Sequence, residues 1–308
     1  MAKYNWLALI AGASAFVATS AHATVFLGNA TELFTGINLQ TVQVNGSLGV
    51  VARIDLTAPG ISFTGSSPAP TGVLIPGTNP PLQAETVAQT TSQFLISSGA
   101  QYAVNAGFFS PCCRAANEGK DIIGLTVSNG VVVSPLDPTR PASLVITTDN
   151  RASVGNVLSL PANVADAVTG SDILVTAGRN VAPTADNSFN GANPRTAAGV
   201  SQDGRTLYLL TLDGRQAGYS VGATLAETGD VLVALGVYAG VNLDGGGSTA
   251  AVRSNGSGGA IVLNRPSGGT ERFDAASFGV FALPVPEPSS VVLVVVAVIG
   301  LTLTRRRA

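Results

Sequence analysis

The stretch Thr224–Thr249, TLAETGDVLVALGVYAGVNLDGGGST, predicts a helix, a turn, a strand and a glycine loop in that order. Thr224 and Glu227 have the spacing of a capping box, in which a hydroxyl and a carboxylate bind the free N–H groups at a helix start. Gly236 suits the position that ends the helix. The residues from 237 to 243 are rich in strand formers.

Asp244 follows this strand and is itself followed by Gly245, Gly246 and Gly247. Three glycines leave no side chains around the carboxylate, so backbone N–H groups and a ligand can come close. A plain glycine-rich turn between two strands is the alternative interpretation. The loop is not a phosphate loop of the Walker type, because no lysine follows the glycines.

The first 23 residues have the pattern of a signal peptide. Lys3 is followed by an apolar run, and Ala21-His22-Ala23 is typical of a signal peptidase cleavage site. We therefore expect export across the inner membrane, with signal peptidase as a transient partner.

Residues 285–308 have three parts: Val285-Pro286-Glu287-Pro288, an apolar run over 291–304, and three terminal arginines. The apolar run is short for a membrane span, which needs roughly 17–25 residues. The order of parts resembles the PEP-CTERM sorting signal of Gram-negative bacteria that secrete exopolysaccharide. That resemblance implies cleavage by an exosortase and a final place at the cell surface, outer envelope or extracellular matrix. An uncleaved tail anchor in the membrane is the alternative.

The exported part is then residues 24–284, which we expect to form a single domain. It holds 12 basic and 17 acidic residues, a net charge of −5, so nothing favours a nucleic-acid partner. The only histidine, His22, lies in the signal peptide. A Ser-His-Asp or Cys-His mechanism and a histidine-ligated zinc site are therefore excluded.

Two adjacent cysteines, Cys112 and Cys113, either form a vicinal disulfide in an exported protein or remain free thiols. No cofactor is indicated with certainty. Asp-rich loops next to carbonyl groups can hold calcium, so a divalent cation such as Ca²⁺ stays open.

Further elements are placed by local patterns. Residues 86–98 predict a helix, and residues 101–109 predict a strand that carries Asn105 into a Gly-Phe-Phe turn. Asn105 either bonds a ligand hydroxyl or caps its own turn. Residues 121–133 predict a hairpin around Ser128-Asn129-Gly130.

Five motifs occur in an order that resembles the phosphodiester glycosidase family, to which the uncovering enzyme belongs. They are Asn105-Ala106-Gly107-Phe108-Phe109, Asn193-Pro194-Arg195-Thr196-Ala197, Asp213-Gly214-Arg215, Asn242-Leu243-Asp244-Gly245-Gly246-Gly247-Ser248 and Glu271-Arg272. The resemblance covers roughly residues 48–283. It implies an α+β fold of curved, mixed or antiparallel sheets with a few helices. It also implies hydrolysis of a sugar–phosphate diester at the anomeric carbon.

Cleavage of a glycosidic bond passes through an oxocarbenium-like state that a carboxylate stabilises. Asp244 is the first candidate, as nucleophile or as base for water, and Asp213 and Glu271 are candidates for a second carboxylate. The alternative for those two is an ion pair with Arg215 or Arg272. The predicted substrate-binding residues, which would grip phosphate oxygens or orient sugar hydroxyls, are Asn105, Arg195, Arg215, Gly245, Gly246, Ser248 and Arg272.

The sequence thus predicts an exported hydrolase that cleaves a sugar-1-phosphodiester in exopolysaccharide or envelope glycan metabolism. Two other functions stay open: a non-catalytic carbohydrate-binding surface or matrix protein, and a hydrolase of a different phosphodiester such as a lipid-linked sugar phosphate.

Overall fold

The computed structural model describes residues 23–113, 115–184 and 187–285. The expected signal peptide and the PEP-CTERM tail lie, apart from Ala23 and Val285, outside these residues. Within the described ranges, no helix is both long and apolar enough to cross a membrane.

The fold is essentially all-β, so the predicted α+β class is wrong. Strands account for 41% of the described residues and helices for only 8%. The predicted helix at 86–98 is shorter than expected, because Thr86–Val87 forms a strand and the helix begins only after Thr90. The β-branched residues around position 87 pair into a sheet rather than extend the helix.

The largest sheet has nine strands, and every strand pair in the described part of the chain is antiparallel. Its strands are β1 (Val25–Leu27), β2 (Thr31–Phe34), β3 (Ile37–Val44), β4 (Ser47–Asp55), β15 (Ile173–Thr176), β16 (Arg179–Asn180), β17 (Arg195–Val200), β18 (Thr206–Leu212) and β19 (Ala239–Asn242). They lie in the order β1-β3-β4-β18-β17-β19-β15-β16, with β2 beside β3.

Three smaller sheets complete the fold. A five-stranded sheet has the order β21 (Ala260–Val262), β20 (Ala251–Ser254), β7 (Tyr102–Asn105), β22 (Ser277–Phe281), β5 (Ser62–Gly65). A second has the order β11 (Val131–Ser134), β10 (Thr126–Ser128), β14 (Val164–Thr169), β12 (Ala142–Thr147), β13 (Ala152–Asn156). The third joins β6 (Thr86–Val87), β9 (Gly119–Ile122) and β8 (Phe109–Ser110).

The hairpin of β10 and β11 confirms the prediction for residues 121–133 in its second half. Asn129 and Gly130 both have positive φ angles, 50° and 77°, as a two-residue turn between twisted strands requires.

Both α-helices of the described chain begin with a capping box. In α1 (Thr91–Ser98) the box is formed by Thr90 and Gln93, and in α2 (Leu225–Ala234) by Thr224 and Glu227. Gly236 has a φ of 81° directly after the last turn of α2. The helix, its cap and its glycine stop in the stretch 224–236 are therefore confirmed.

Each helix covers the outer face of one sheet, while the inner faces meet in a common core. Along β18, Leu207 and Leu209 point into that core, whereas Tyr208, Leu210 and Leu212 pack in the cluster that includes α2. Along β7, Tyr102 and Val104 face the core, and Ala103 packs beside Phe94 and Leu95 of α1. This strict alternation follows from the two-residue period of a strand.

Candidate active site

A cavity of about 470 Å³ opens where the ends of strands from two sheets meet. Asn105 ends β7 of the five-stranded sheet, Arg195 begins β17 of the nine-stranded sheet, and Asp244 follows β19 of the same sheet. The cavity is lined by Phe108, Ser188, Phe189, Asn193, Arg195, Arg215, Asn242, Asp244, Gly245, Gly246 and Arg272. The structure therefore brings together residues from all five sequence motifs.

Asn105 ties both ends of the glycine loop to the second sheet. Its Nδ2 donates to the carbonyl oxygen of Asp244 (2.7 Å), and its Oδ1 accepts from the Ala250 N–H (3.1 Å) and the Thr196 hydroxyl (2.6 Å). Asn105 is fully buried, and these bonds occupy its amide. We infer that it positions the loop, whereas the prediction was a direct bond to a sugar hydroxyl.

The glycine loop is closely covered by two arginines. Gly246 has a φ of 65°, and a Cβ atom there would lie 3.1 Å from Arg215 Nη2. A Cβ atom on Gly247 would overlap the guanidinium of Arg272. These glycines let cationic side chains reach the backbone beside Asp244, where the sequence predicted an approach by the ligand itself.

Asp244 lies against this loop, partly buried, with Oδ1 accepting from the Gly245 N–H at 2.9 Å. Desolvation by the surrounding protein raises the pKa of its carboxyl group to about 6. The Ser248 hydroxyl, Arg272, the Gly245 N–H and Arg215 act in the opposite direction, because each favours the ionised form. The group is thus largely ionised at neutral pH but can take up a proton without a large free-energy cost.

A second carboxyl group, Asp274, lies beside Asp244 and was not among the predicted site residues. Its side chain is only 2% exposed. Burial and the charge of Asp244 raise its pKa well above the ordinary value. The Ser248 hydroxyl and Arg272 lower it by less, and the charge of Glu271 raises it slightly. Asp274 stands two positions after the Glu271-Arg272 motif, and this closeness was the one signal in the sequence that pointed to it.

Arg195 is nearly buried and organises the loop before it. Its Nε donates to the carbonyl oxygen of Ala223 (2.9 Å), and its Nη2 donates to those of Phe189 (2.7 Å) and Gly191 (2.6 Å). Desolvation and the nearby charge of Arg215 lower its pKa to about 10, so it keeps its positive charge at neutral pH.

Arg215 is exposed at the mouth of the cavity, and one side chain orients it. Its Nε and Nη2 both donate to Asn193 Oδ1, at 3.1 and 2.9 Å. Arg215 has a φ of 59°, an uncommon conformation for a residue with a side chain. Among the described residues, none accepts a hydrogen bond from its Nη1, and Arg215 lines the cavity.

Asp213 and Glu271, the two candidates for a second carboxylate, lie outside the cavity lining. Asp213 accepts hydrogen bonds from Asn264, the Arg265 N–H and the Tyr219 hydroxyl. Glu271 accepts from the N–H and the hydroxyl of Ser92 in the first turn of α1. Both carboxylates are held by neutral donors, and in the described chain neither pairs with Arg215 or Arg272.

The cavity also has an aromatic wall and a buried amide that the prediction left out. The rings of Phe108 and Phe189 lie 6.1 Å apart between centroids, tilted by 45°. Asn242 is 1% exposed, and its Oδ1 accepts no hydrogen bond from the described residues, while its Nδ2 donates to Ser171. Phe108 and Asn242 stand inside the quoted motifs, whereas Phe189 comes from a loop without a motif.

Cys112 and Cys113 are joined by a disulfide in the loop between β8 and β9. Nη1 of Arg272 donates to the Cys112 sulfur (3.5 Å) and to the buried Ser248 hydroxyl (3.3 Å). The disulfide therefore touches an arginine of the cavity. Within the described ranges, no group of three or more His, Cys, Asp or Glu side chains is arranged to hold a metal ion.

Comparison with solved structures shows the same fold in several proteins. A protein from Synechocystis has a TM-score of 0.54 and 17% identity. The matched region covers 80% of this chain and 62% of that protein. The catalytic domain of zebrafish N-acetylglucosamine-1-phosphodiester α-N-acetylglucosaminidase, auto-inhibited by its pro-peptide, has a TM-score of 0.54 and 16% identity, covering 85% of this chain and 84% of its own. A protein from Burkholderia pseudomallei has a TM-score of 0.52 and 17% identity, over 80% of this chain and 77% of that protein.

At these identities the likeness concerns the fold alone. No curated protein sequence matches the chain. The family model for phosphodiester glycosidase matches residues 98–281, which is more than half of the chain and includes every residue that lines the cavity. The chain therefore belongs to the phosphodiester glycosidase family.

Proposed function

We propose that the protein is a hydrolase that cleaves the glycosidic bond of a sugar-1-phosphodiester, releasing the sugar and leaving a phosphomonoester. One observation carries the proposal. A single cavity holds three arginines, one carboxylate whose pKa burial raises to about 6, and an aromatic wall. Family membership supports the same chemistry.

The arginines supply the phosphate site. Arg195 and Arg215 are close enough for their charges to repel, which contributes to the lowered pKa of Arg195. A phosphodiester between them relieves this repulsion and can accept charge-assisted hydrogen bonds from both guanidinium groups. The sugar then lies toward Asp244, with the rings of Phe108 and Phe189 available for its apolar face.

Asp244 supplies the carboxylate that the reaction needs. As the bond between the anomeric carbon and the phosphate oxygen breaks, its electron pair leaves with the phosphate, and positive charge grows on the sugar ring. The ionised Asp244 stabilises that charge, as nucleophile or as base for the attacking water. The leaving phosphomonoester has a second pKa of about 6. It departs with little help from a general acid, provided that the arginines neutralise it.

A second cavity of about 450 Å³ is a weaker candidate for catalysis. It is lined in part by Asp149, Arg151, Asp203 and Tyr238. Hydrogen bonds from Thr147 and Ser201 hold the pKa values of Asp149 and Asp203 below their ordinary range. Carboxylates stabilised in this way are poor proton acceptors at neutral pH.

Sugar release from defined substrates tests the proposal. The purified protein is incubated with UDP-N-acetylglucosamine and a panel of methyl sugar-1-phosphodiesters, with and without a chelator, and free sugar is measured. We expect release by the wild type and its loss in Asp244→Asn. Asp203→Asn, in the second cavity, is the matched control and should keep full activity.

Two results would contradict the proposal. Equal release by Asp244→Asn would remove Asp244 from the reaction. No release across the panel, together with tight binding of the producing cell's own polysaccharide, would favour the carbohydrate-binding alternative.

We further propose that the enzyme is exported and acts on exopolysaccharide or envelope glycan. The support is the pattern of residues 1–23 and 285–308, with signal peptidase and an exosortase as processing partners. Mass spectrometry of the protein recovered outside the cytoplasm should find a chain that begins at Thr24. A variant that ends at residue 284 should appear in the medium rather than at the surface; retention of the unprocessed N-terminus would contradict export.

A further inference from the structure

Asp274 is a buried carboxyl group without an ordinary hydrogen-bond partner. Its backbone is fixed by a bridge to Gln89, with N–H to O distances of 2.9 and 3.1 Å in the two directions. Neither side-chain oxygen accepts a hydrogen bond of normal geometry from any described residue. A bare buried carboxylate is costly, so such a group normally has a partner or a proton.

The charged groups around Asp274 do not supply that partner. Asp244 and Glu271 add negative charge, and only Arg272 adds positive charge to both Asp274 and Asp244. Arg215 acts on Asp244 but not detectably on Asp274. Arg272 therefore faces two carboxyl groups and can balance one negative charge.

The hydroxyl of Ser248 limits the arrangement further. It is buried, it receives a hydrogen bond from Arg272 Nη1, and it lies near enough to act on both carboxyl groups. A serine hydroxyl has one proton to donate and two lone pairs to accept with. It can therefore donate to only one of the two carboxyl groups at a time. Because neither side-chain oxygen of Asp274 accepts a hydrogen bond from a described residue, a proton of its own is favoured on Asp274.

We propose that Asp274 is a proton-carrying positioning residue for Asp244. As a neutral acid it donates toward Ser248 Oγ, which leaves the serine proton for Asp244 and keeps the single negative charge of the pair on Asp244. The proposal rests on the role given to Asp244 above. It assigns Asp274 no contact with the substrate, since Asp274 does not line the cavity.

The proposal predicts how activity depends on pH. Protonation of Asp244 removes activity on the acid side. Ionisation of Asp274 at higher pH places a second negative charge beside Arg272 and makes both carboxylates compete for one serine proton, so activity falls again on the alkaline side. The plot of activity against pH is then bell-shaped, and its two apparent pKa values describe the coupled titration of Asp244 and Asp274.

The full-length protein with Asp274→Asn and Asp274→Ala tests this directly. Asparagine stays neutral at every pH and still donates toward Ser248, whereas alanine does not. We expect alanine to lower kcat by about 100-fold and asparagine to recover most of that loss. The alkaline limb should disappear in both variants, because neither side chain can ionise. An alkaline limb unchanged in Asp274→Asn, or equal losses in both variants, would overturn the proposal.

A readout without turnover separates this proposal from the proposed function. Because the native state holds a proton that the unfolded chain releases near pH 4, stability of the wild type should fall as pH rises above that point. Asp274→Asn should remove this part of the slope, as followed by urea unfolding between pH 4 and 8 with Asp203→Asn as control. If stability depended on pH identically in the wild type and in Asp274→Asn, the buried proton would be refuted. Stabilisation of the wild type by Ca²⁺ that is lost in Asp274→Asn would also refute it, in favour of a cation at the pair.

Discussion

At the scale of single residues, Asp244 combines a functional gain with a cost in stability. Burial raises its pKa from 3.8 to about 6, a shift of about 2 units or about 3 kcal/mol. The folded protein binds a proton more tightly than the unfolded chain, so this contribution destabilises the native state as pH rises from about 4 to about 6.

Asp244→Asn should therefore lose turnover and gain stability. We expect a fall in kcat of at least about 1,000-fold, as for loss of a reacting carboxylate, and up to about 3 kcal/mol of added stability at pH 7. At pH 4 the gain should vanish. Thermal unfolding at both pH values and sugar release measure the two effects; a variant less stable than the wild type at pH 7 would contradict the assigned cost.

Arg215 offers a cleaner test of phosphate binding than Arg195. Arg195 also supports three backbone carbonyl groups, whereas Arg215 is exposed and bonded only to Asn193 among the described residues. Arg215→Ala should lower kcat/KM by about 10- to 100-fold, the value of one or two charge-assisted hydrogen bonds, with little change in Tm. Arg253→Ala, outside the cavity, is the control. A large fall in Tm without a change in kcat/KM would mean that Arg215 is structural.

At the scale of elements, the end of β7 holds the glycine loop through Asn105. Asn105→Ala leaves the Thr196 hydroxyl, the Ala250 N–H and the Asp244 carbonyl group without their partner. We expect about 3 kcal/mol of destabilisation and a loss of kcat, because the loop carries Asp244. Thr196→Val removes one of the three bonds and should cost about 1 kcal/mol. Chemical unfolding and turnover check both; full activity in Asn105→Ala would contradict the role as a clamp.

Helix α1 gives the corresponding test for Glu271. Its carboxylate binds Ser92 at the start of the helix, where a negative charge is favourable. Glu271→Gln keeps an acceptor and loses the charge, so it should cost about 0.5–1 kcal/mol and leave kcat within a few-fold of the wild type. A loss of more than about 100-fold in kcat at unchanged Tm would return Glu271 to the reaction as the second carboxylate.

The elements also show what local sequence can and cannot reveal. Thr224, Glu227 and Gly236 act within one helix, so their pattern predicted its limits correctly. Helix α1 began later than predicted, because residues 86 and 87 pair with β9, a partner more than 30 positions away that no local pattern contains. Asp274 was missed for the same reason. Its importance comes from its nearness to Asp244, 30 positions earlier in the chain, and this is a property of the folded sheets.

At the scale of the whole molecule, the fold class was the main error. The resemblance implied α+β, yet two short helices on the outer faces of antiparallel sheets make an essentially all-β protein. The order of motifs was more informative than the class. Residues from all five motifs converge on one cavity, because the C-terminal ends of β7 and β19 and the N-terminal end of β17 lie at the same place.

The disulfide between Cys112 and Cys113 joins neighbours in the chain, which distinguishes its effect from that of most disulfides. A link with no residue between its ends barely restricts the unfolded chain, so breaking it should hardly change Tm. It should change the site instead, because the Cys112 sulfur that contacts the Arg272 guanidinium is no longer held by its bond to Cys113. We expect dithiothreitol to lower kcat/KM of the wild type several-fold and reversibly, and to leave Cys112→Ser/Cys113→Ser unaffected. Equal kinetics before and after reduction would contradict this.

The disulfide between Cys112 and Cys113 would also determine when the protein becomes fully active. A thiol pair that is kept reduced inside the cell and oxidised outside it would leave the newly made enzyme folded but poorly active. Under the export and the activity proposed above, hydrolysis would begin only outside the cytoplasm, and sugar–phosphate precursors inside the cell would not be cleaved.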